Sequence, residues 1–336
     1  MKERPVQAAS PVHIVGGFTI DAIIRADGSW VTGQLGGNAL WAAAGVAALA
    51  HGCPVAHAVV GDDYPADALA DISAHGVDVT AVQRRTQQRN ARVTFEYLTD
   101  GSRSQPAPAG AVAVLPHAVQ PEFADTTRDT SLTLASLPDA GTVRTAAGRG
   151  GAWHLGLLPG ARFGELVAAL RGGGASSIQA DCPARFELRR DGDAVLRTHL
   201  RDLDVFLPSS SDTDVFAPGI PHRDLISRFH DYGAPVVVLK RSEHGAIVSD
   251  AHTGEAWSIP ALPVGEHLDA TGAGDVFCGV FAHVRTTGAA LVEAAVEATV
   301  AASRALHVAS PLALTRPDEE RWLADCARIR EGVTPL

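Results

Sequence analysis

Two kinds of apolar pattern alternate along the chain. Short runs broken by glycine or proline, at residues 12–15, 55–60, 153–158, 177–181, 204–208 and 235–239, have the length and β-branched content of buried strands. Between them lie stretches with apolar residues every three or four positions, at 36–50, 65–75, 163–170, 276–284, 289–307 and 316–331, which predict helices. Gly172, Gly173 and Gly174 predict a flexible break after the third of these. Strands alternating with helices predict an α/β protein of three layers with a mostly parallel central sheet. Two segments read differently. Residues 20–25 and 30–35 flank an Asp27-Gly28 turn, and residues 91–98 alternate through Val93, Phe95 and Tyr97 before an Asp100-Gly101 turn and a return at 102–107. These predict a small β lid built from about residues 20–35 and 91–108. Residues 106–121 show no period. The whole chain, 1–336, reads as a single domain carrying that lid.

Composition narrows the function. The net charge is −10, which argues against nucleic acid or an anionic membrane as a main partner. Residues 39–50 form the longest apolar stretch, too short to span a bilayer, and residues 1–5 lead into no apolar signal region. The expected compartment is the cytoplasm. The four cysteines, Cys53, Cys182, Cys278 and Cys326, match no metal spacing and read as free thiols. The only lysines are Lys2 and Lys240, and neither follows a glycine, so a Gly-Lys-Ser/Thr phosphate loop is excluded.

The chemistry concentrates in Asp269-Ala-Thr-Gly-Ala-Gly-Asp275. Gly272, Ala273 and Gly274 carry almost no side chain, and Val276, Phe277, Val280 and Phe281 follow at helical spacing. Small residues at a helix start leave N–H groups free to meet an anion, with the helix dipole assisting. Asp275 stands in the first turn, where it either complements the dipole or takes a hydroxyl proton.

The run Asp-x-Thr-Gly-Ala-Gly-Asp-x-Phe-x-Gly resembles the C-terminal signature of the PfkB, or ribokinase-like, carbohydrate kinases. The resemblance extends from Gly16 to about His307 and implies the ribokinase-like fold, ATP and Mg²⁺, and phosphoryl transfer to a sugar hydroxyl. It implies that Asp275 is the catalytic base and that Gly272, Ala273 and Gly274 form the anion hole. Asp21 and the Gly36-Gly37-Asn38 signature would hold the acceptor. The pattern's Asn three residues after Asn38 is replaced by Trp41, which either stacks on the substrate or packs in the core. Lys240, Ser242, Gly245 and Thr271 fall at nucleotide-binding positions. Ser209 and Asp212 replace the usual Asn-x-x-Glu, so Asp212 is expected to meet Mg²⁺ through water. Asp269 and Thr271 match a monovalent-cation site for K⁺. Gly156, Arg103 and Arg185 are further candidates near substrate or phosphate. The resemblance also implies a homodimer through the lid. A nucleoside kinase, and a ligand-binding protein of the same fold that has lost catalysis, are the alternative readings.

Overall fold

The computed structural model describes residues 10–99, 102–265 and 270–336. Its centre is a nine-stranded sheet. Six strands run parallel in the spatial order Pro54–His57, Val12–Val15, Ala152–Leu155, Ser177–Ala180, Val205–Phe206 and Val236–Lys240. Ala246–Asp250, Glu255–Ile259 and Thr334–Pro335 then extend the sheet antiparallel.

Side-chain alternation divides the core between the two faces of this sheet. Val237 and Leu239 join a cluster with Phe163, Leu166 and Phe229. Val236 and Val238 join another with Val276, Val280 and Val300. Helices such as Gly160–Gly173 and His222–Asp231 therefore cover one face, while Ala273–Thr286 and Leu291–Ala305 cover the other. This is the expected three-layer α/β arrangement.

The lid is a separate four-stranded sheet in the order Trp30–Gly36, Thr19–Ile24, Arg92–Tyr97 and Arg103–Ser104. Its two central strands are parallel. Only Gly16, Gly17 and Phe18 separate the first main-sheet strand from the lid strand that carries Asp21. The register slips between Asp21 and Ile23 against the neighbouring strand.

Several elements depart from the sequence expectation. The apolar run at 55–60 splits: Pro54–His57 joins the main sheet, while Val59–Val60 turns aside to pair with Gln83–Arg84. Gly172 and Gly173 do not break the helix, which ends one residue later at Gly174 with φ 92°. A Cβ on Gly173 would lie 2.7 Å from the Arg144 carbonyl oxygen, so the bare backbone serves close helix packing. The aperiodic 106–121 region forms a helix at Ala109–Ala113 and, across its end, a 3₁₀ turn at Gln120–Phe123. Leu115 and Phe123 pack there on Ala22 and Ile24 of the lid. The helices Thr130–Ala135 and Ala140–Ala147 were not expected; each begins at an aspartate, Asp129 or Asp139, whose carboxylate accepts a backbone N–H.

Candidate active site

The Ala273–Thr286 helix starts where the motif places it. Gly272 caps it in the left-handed region at φ 77°. The Gly272, Gly274 and Asp275 amides make no hydrogen bond to another described residue, and Gly274 is exposed. The Ala273 amide has only a long bond of 3.4 Å to the Ala270 carbonyl. These donors are therefore available to an anion at the helix N-terminus.

Asp275 is partly open, and its carboxyl is pushed up to about 7. Burial is the main cause, and the nearby Asp181 carboxylate adds to it; Lys240 and Arg103 pull the other way. Lys240 comes from the end of a central strand and is nearly buried. Its ammonium donates to Asp181 Oδ2 at 2.6 Å and contacts Cys278 Sγ at 3.1 Å. A Cβ on Gly274 would lie 3.9 Å from Lys240 Nζ, which puts the ammonium beside the open amides. Burial opposes the charge on Lys240, but attraction to Asp181 outweighs it and holds the ammonium protonated.

The next strand end carries Ser209 and Asp212. Ser209 Oγ caps the following helix by accepting from the Asp212 amide, and donates to Asp212 Oδ2 at 2.5 Å. Arg185 Nε donates to Asp212 Oδ1 at 2.6 Å. Asp181, Cys182 and Asp212 bring ligand atoms within 4.8 Å of one another. Yet Asp181 already accepts from Lys240 and the Cys182 amide, and both Asp212 oxygens are engaged. Two basic side chains supply the positive charge here, so this donor set does not fit a protein-held divalent ion. Arg185, a candidate near substrate or phosphate, is engaged by Asp212 and Ser211.

On the lid, buried Asp21 accepts from Thr19 Oγ1 at 2.5 Å. A Cβ on Gly36 would lie 2.0 Å from Asp21 Oδ2, so glycine there makes room for the carboxylate. Gly37, at φ 102°, lies against the Gly17 carbonyl. The Asn38 side chain accepts from the Gly17 and Ala39 amides and donates to the Leu157 carbonyl. It knits the 16–17 and 156–157 loops together, and Gly156 leaves it space.

Trp41 is 2% exposed and lies beneath Gly272, so it packs in the core and offers no open stacking face. Ser242 holds a left-handed φ of 52°. Gly245 allows close approach to the Ile259 carbonyl. Thr271 Oγ1 is hydrogen-bonded to Tyr97 OH of the lid at 2.6 Å, while Asp269 lies outside the described residues. Arg103 sits over the Phe95 ring and within electrostatic reach of Asp275.

Sequence reasoning missed Asp181 and Tyr97. The available signal for Asp181 was an acid closing one parallel strand, two strands from the strand that ends in Lys240. A cavity of about 530 Å³ lies beyond the motif, between residues 262–265 and the end of the Leu291–Ala305 helix, with Ser303, Arg304 and His307 in its wall. No described helix is long and apolar enough to cross a membrane.

Comparison with known proteins agrees with this geometry. The sequence model described as pfkB family carbohydrate kinase matches residues 192–314, the stretch that holds Asp212, Lys240 and Asp275. The chain thus carries a pfkB-family match in its C-terminal part and has a ribokinase-like fold. It is similar to the cytidine kinase of Thermococcus kodakarensis, with 26% identity over 80% of this chain and 86% of that enzyme. It also resembles the 2-dehydro-3-deoxygluconokinase of Escherichia coli, at 30% identity over 37% of this chain and 41% of that enzyme. Among solved structures, the Arabidopsis thaliana ribokinase complexed with ribose and ATP superimposes with a TM-score of 0.67. That likeness, at 20% identity, covers 95% of this chain and 99% of the other. Both curated relatives named here are kinases.

Proposed function

We propose that the protein transfers the γ-phosphoryl group of ATP, supplied as its Mg²⁺ complex, to a hydroxyl of a sugar or nucleoside. The observation that carries this reading is one carboxyl with a pKa raised to about 7, beside helix-start amides of Gly272 and Gly274 that bond no other described residue, and a buried ammonium. A base is most effective when its pKa lies near the working pH. Asp275 takes the acceptor's hydroxyl proton as the new O–P bond forms. The bond to the bridging oxygen of ADP breaks in line, and Mg-ADP leaves. The Gly272, Ala273 and Gly274 amides and Lys240 stabilise charge on the transferring group. Asp21 holds acceptor hydroxyls on the lid side. The adenosine end extends toward the cavity walled by Ser303 and His307, and the 240–245 turn borders the nucleotide.

Because Asp212 is neutralised by Arg185, Mg²⁺ arrives as part of the nucleotide complex and is bound chiefly by its phosphates. The lid and body act as one catalytic unit in the cytoplasm. Two copies would meet through the lid. A K⁺ requirement rests on Asp269 and Thr271; equal rates with and without K⁺ would remove it.

The cytidine kinase, the 2-dehydro-3-deoxygluconokinase and the ribokinase set the acceptors to try: nucleosides, sugar acids and pentoses. The test is acceptor-dependent ADP release from Mg-ATP across that panel, with Asp275→Asn as control. Release that no acceptor stimulates, or that Asp275→Asn leaves intact, overturns the proposal.

A further inference from the structure

The Asn38–Ala47 and Ala273–Thr286 helices meet with almost no side-chain spacer. A Cβ on Gly279 would lie 2.3 Å from the Ala42 carbonyl oxygen, and one on Gly45 would lie 2.9 Å from Val276 Cγ1. The third contact on this seam is Trp41. A Cβ on Gly272 would lie 2.1 Å from its Cδ2 and 2.5 Å from its Cε2. Residues 41, 42 and 45 thus face 272, 276 and 279, one stripe on each partner. Trp41 occupies the end of the seam at which the second helix opens its amides.

We infer that Trp41 is a positioning residue for the anion hole: its ring is the floor that holds Gly272 in the left-handed turn from which the donors at 272–274 project. This rests on the kinase reading above. Trp41 is 2% exposed, so an acceptor does not reach it as a wall of the pocket. Its Nε1 has no hydrogen-bond partner among the described residues, so ring packing sets its place. Ring volume is therefore the property that matters. An asparagine at this position leaves the space under Gly272 unfilled.

The experiment compares Trp41→Phe, Trp41→Leu and Trp41→Asn with the parent in steady-state kinetics and in hydrogen exchange of peptides covering residues 270–280. Donors aimed at developing charge act on turnover, and losing one costs on the order of 10²–10³ in kcat. Displaced donors should cost less: Trp41→Leu and Trp41→Asn should lower kcat by roughly 10–100-fold, with both KM values moving less than about threefold. Exchange at 276–280, where the Val276 amide donates to the Gly272 carbonyl, should quicken in the same two variants. Trp41→Phe should restore kcat to within about fivefold and restore slow exchange. A raised acceptor KM with unchanged kcat would make Trp41 a substrate contact and overturn the inference. So would parent-like kcat and exchange in Trp41→Asn. Should a variant fail to fold, Gly272→Ala approaches the same contact from the other side: lowered kcat at constant KM supports the inference, and an unchanged kcat overturns it. If the parent transfers phosphate to no acceptor, the kinase reading fails, whereas the exchange data still decide whether Trp41 holds the loop.

Discussion

Replacing Asp275 by asparagine should stabilise the protein while it removes turnover. Burial and the Asp181 carboxylate push the Asp275 carboxyl from 3.8 to about 7. A carboxyl raised in the folded state favours the folded protein only while protonated. That advantage is complete below the unfolded value and is lost as pH rises through the folded one. Above pH 7 the native state therefore carries an ionised group it disfavours. A shift of about three units at roughly 1.4 kcal/mol each sets an upper bound of about 4 kcal/mol at pH 8. Asp275 is partly open to water, so about half that is the working value. Asparagine keeps the shape and removes the charge. Differential scanning calorimetry should show Asp275→Asn melting higher than the parent by about 3 °C at pH 8. The gap should fall below half as the pH drops to 5. Turnover should fall by roughly 10²–10⁴ over the same comparison. An unchanged or lower melting temperature at pH 8 would refute the claim that this carboxylate is held at a cost in the folded state.

Three further outcomes follow from the geometry. The parent's kcat/KM should rise about tenfold between pH 6 and 8 as Asp275 ionises, and a flat profile would remove it as base. Gly36→Ala should raise the acceptor KM while leaving the KM for ATP unchanged, because the new methyl displaces Asp21 Oδ2; initial-rate kinetics in both substrates separates the two. His57 and His154 are pushed down to about 3 by burial, with His13 adding to the effect at His57 and Lys240 at His154. Their contribution to stability is present above pH 6.5 and is lost as pH falls toward 3, by about 2 kcal/mol each at pH 5 as an upper bound. Urea unfolding at pH 7.5 and 5 should show that loss, reduced in His57→Gln.

The strand ends and the helix start of the site were legible because each is local. Gly272 to Asp275 announce themselves by residue size followed by helical period, and Lys240 by its place after a β-branched run. What could not be read depends on contacts across the chain. Trp41 is apolar at helical spacing whether it faces a substrate or Gly272; only the register of two helices decides. Arg185 and Asp212 are separated by 26 intervening residues, and their ion pair exists because two parallel strands end side by side. Residues 106–121 show no period because a five-residue helix and a 3₁₀ turn are too short to establish one. The helices at 130 and 140 are similarly short, and their capping aspartates were the only local cue.

The bond between Tyr97 OH and Thr271 Oγ1 joins two bodies that otherwise carry different halves of the task. Asp21 travels with the small sheet and Asp275 with the large one. Under the proposed function a complete pocket exists only while the two are apposed, so a protein caught ajar would hold a nucleotide and no gripped alcohol. Cutting the tie with Tyr97→Phe should then show as leakage, with ATP spent on water and fewer product molecules formed per ADP released.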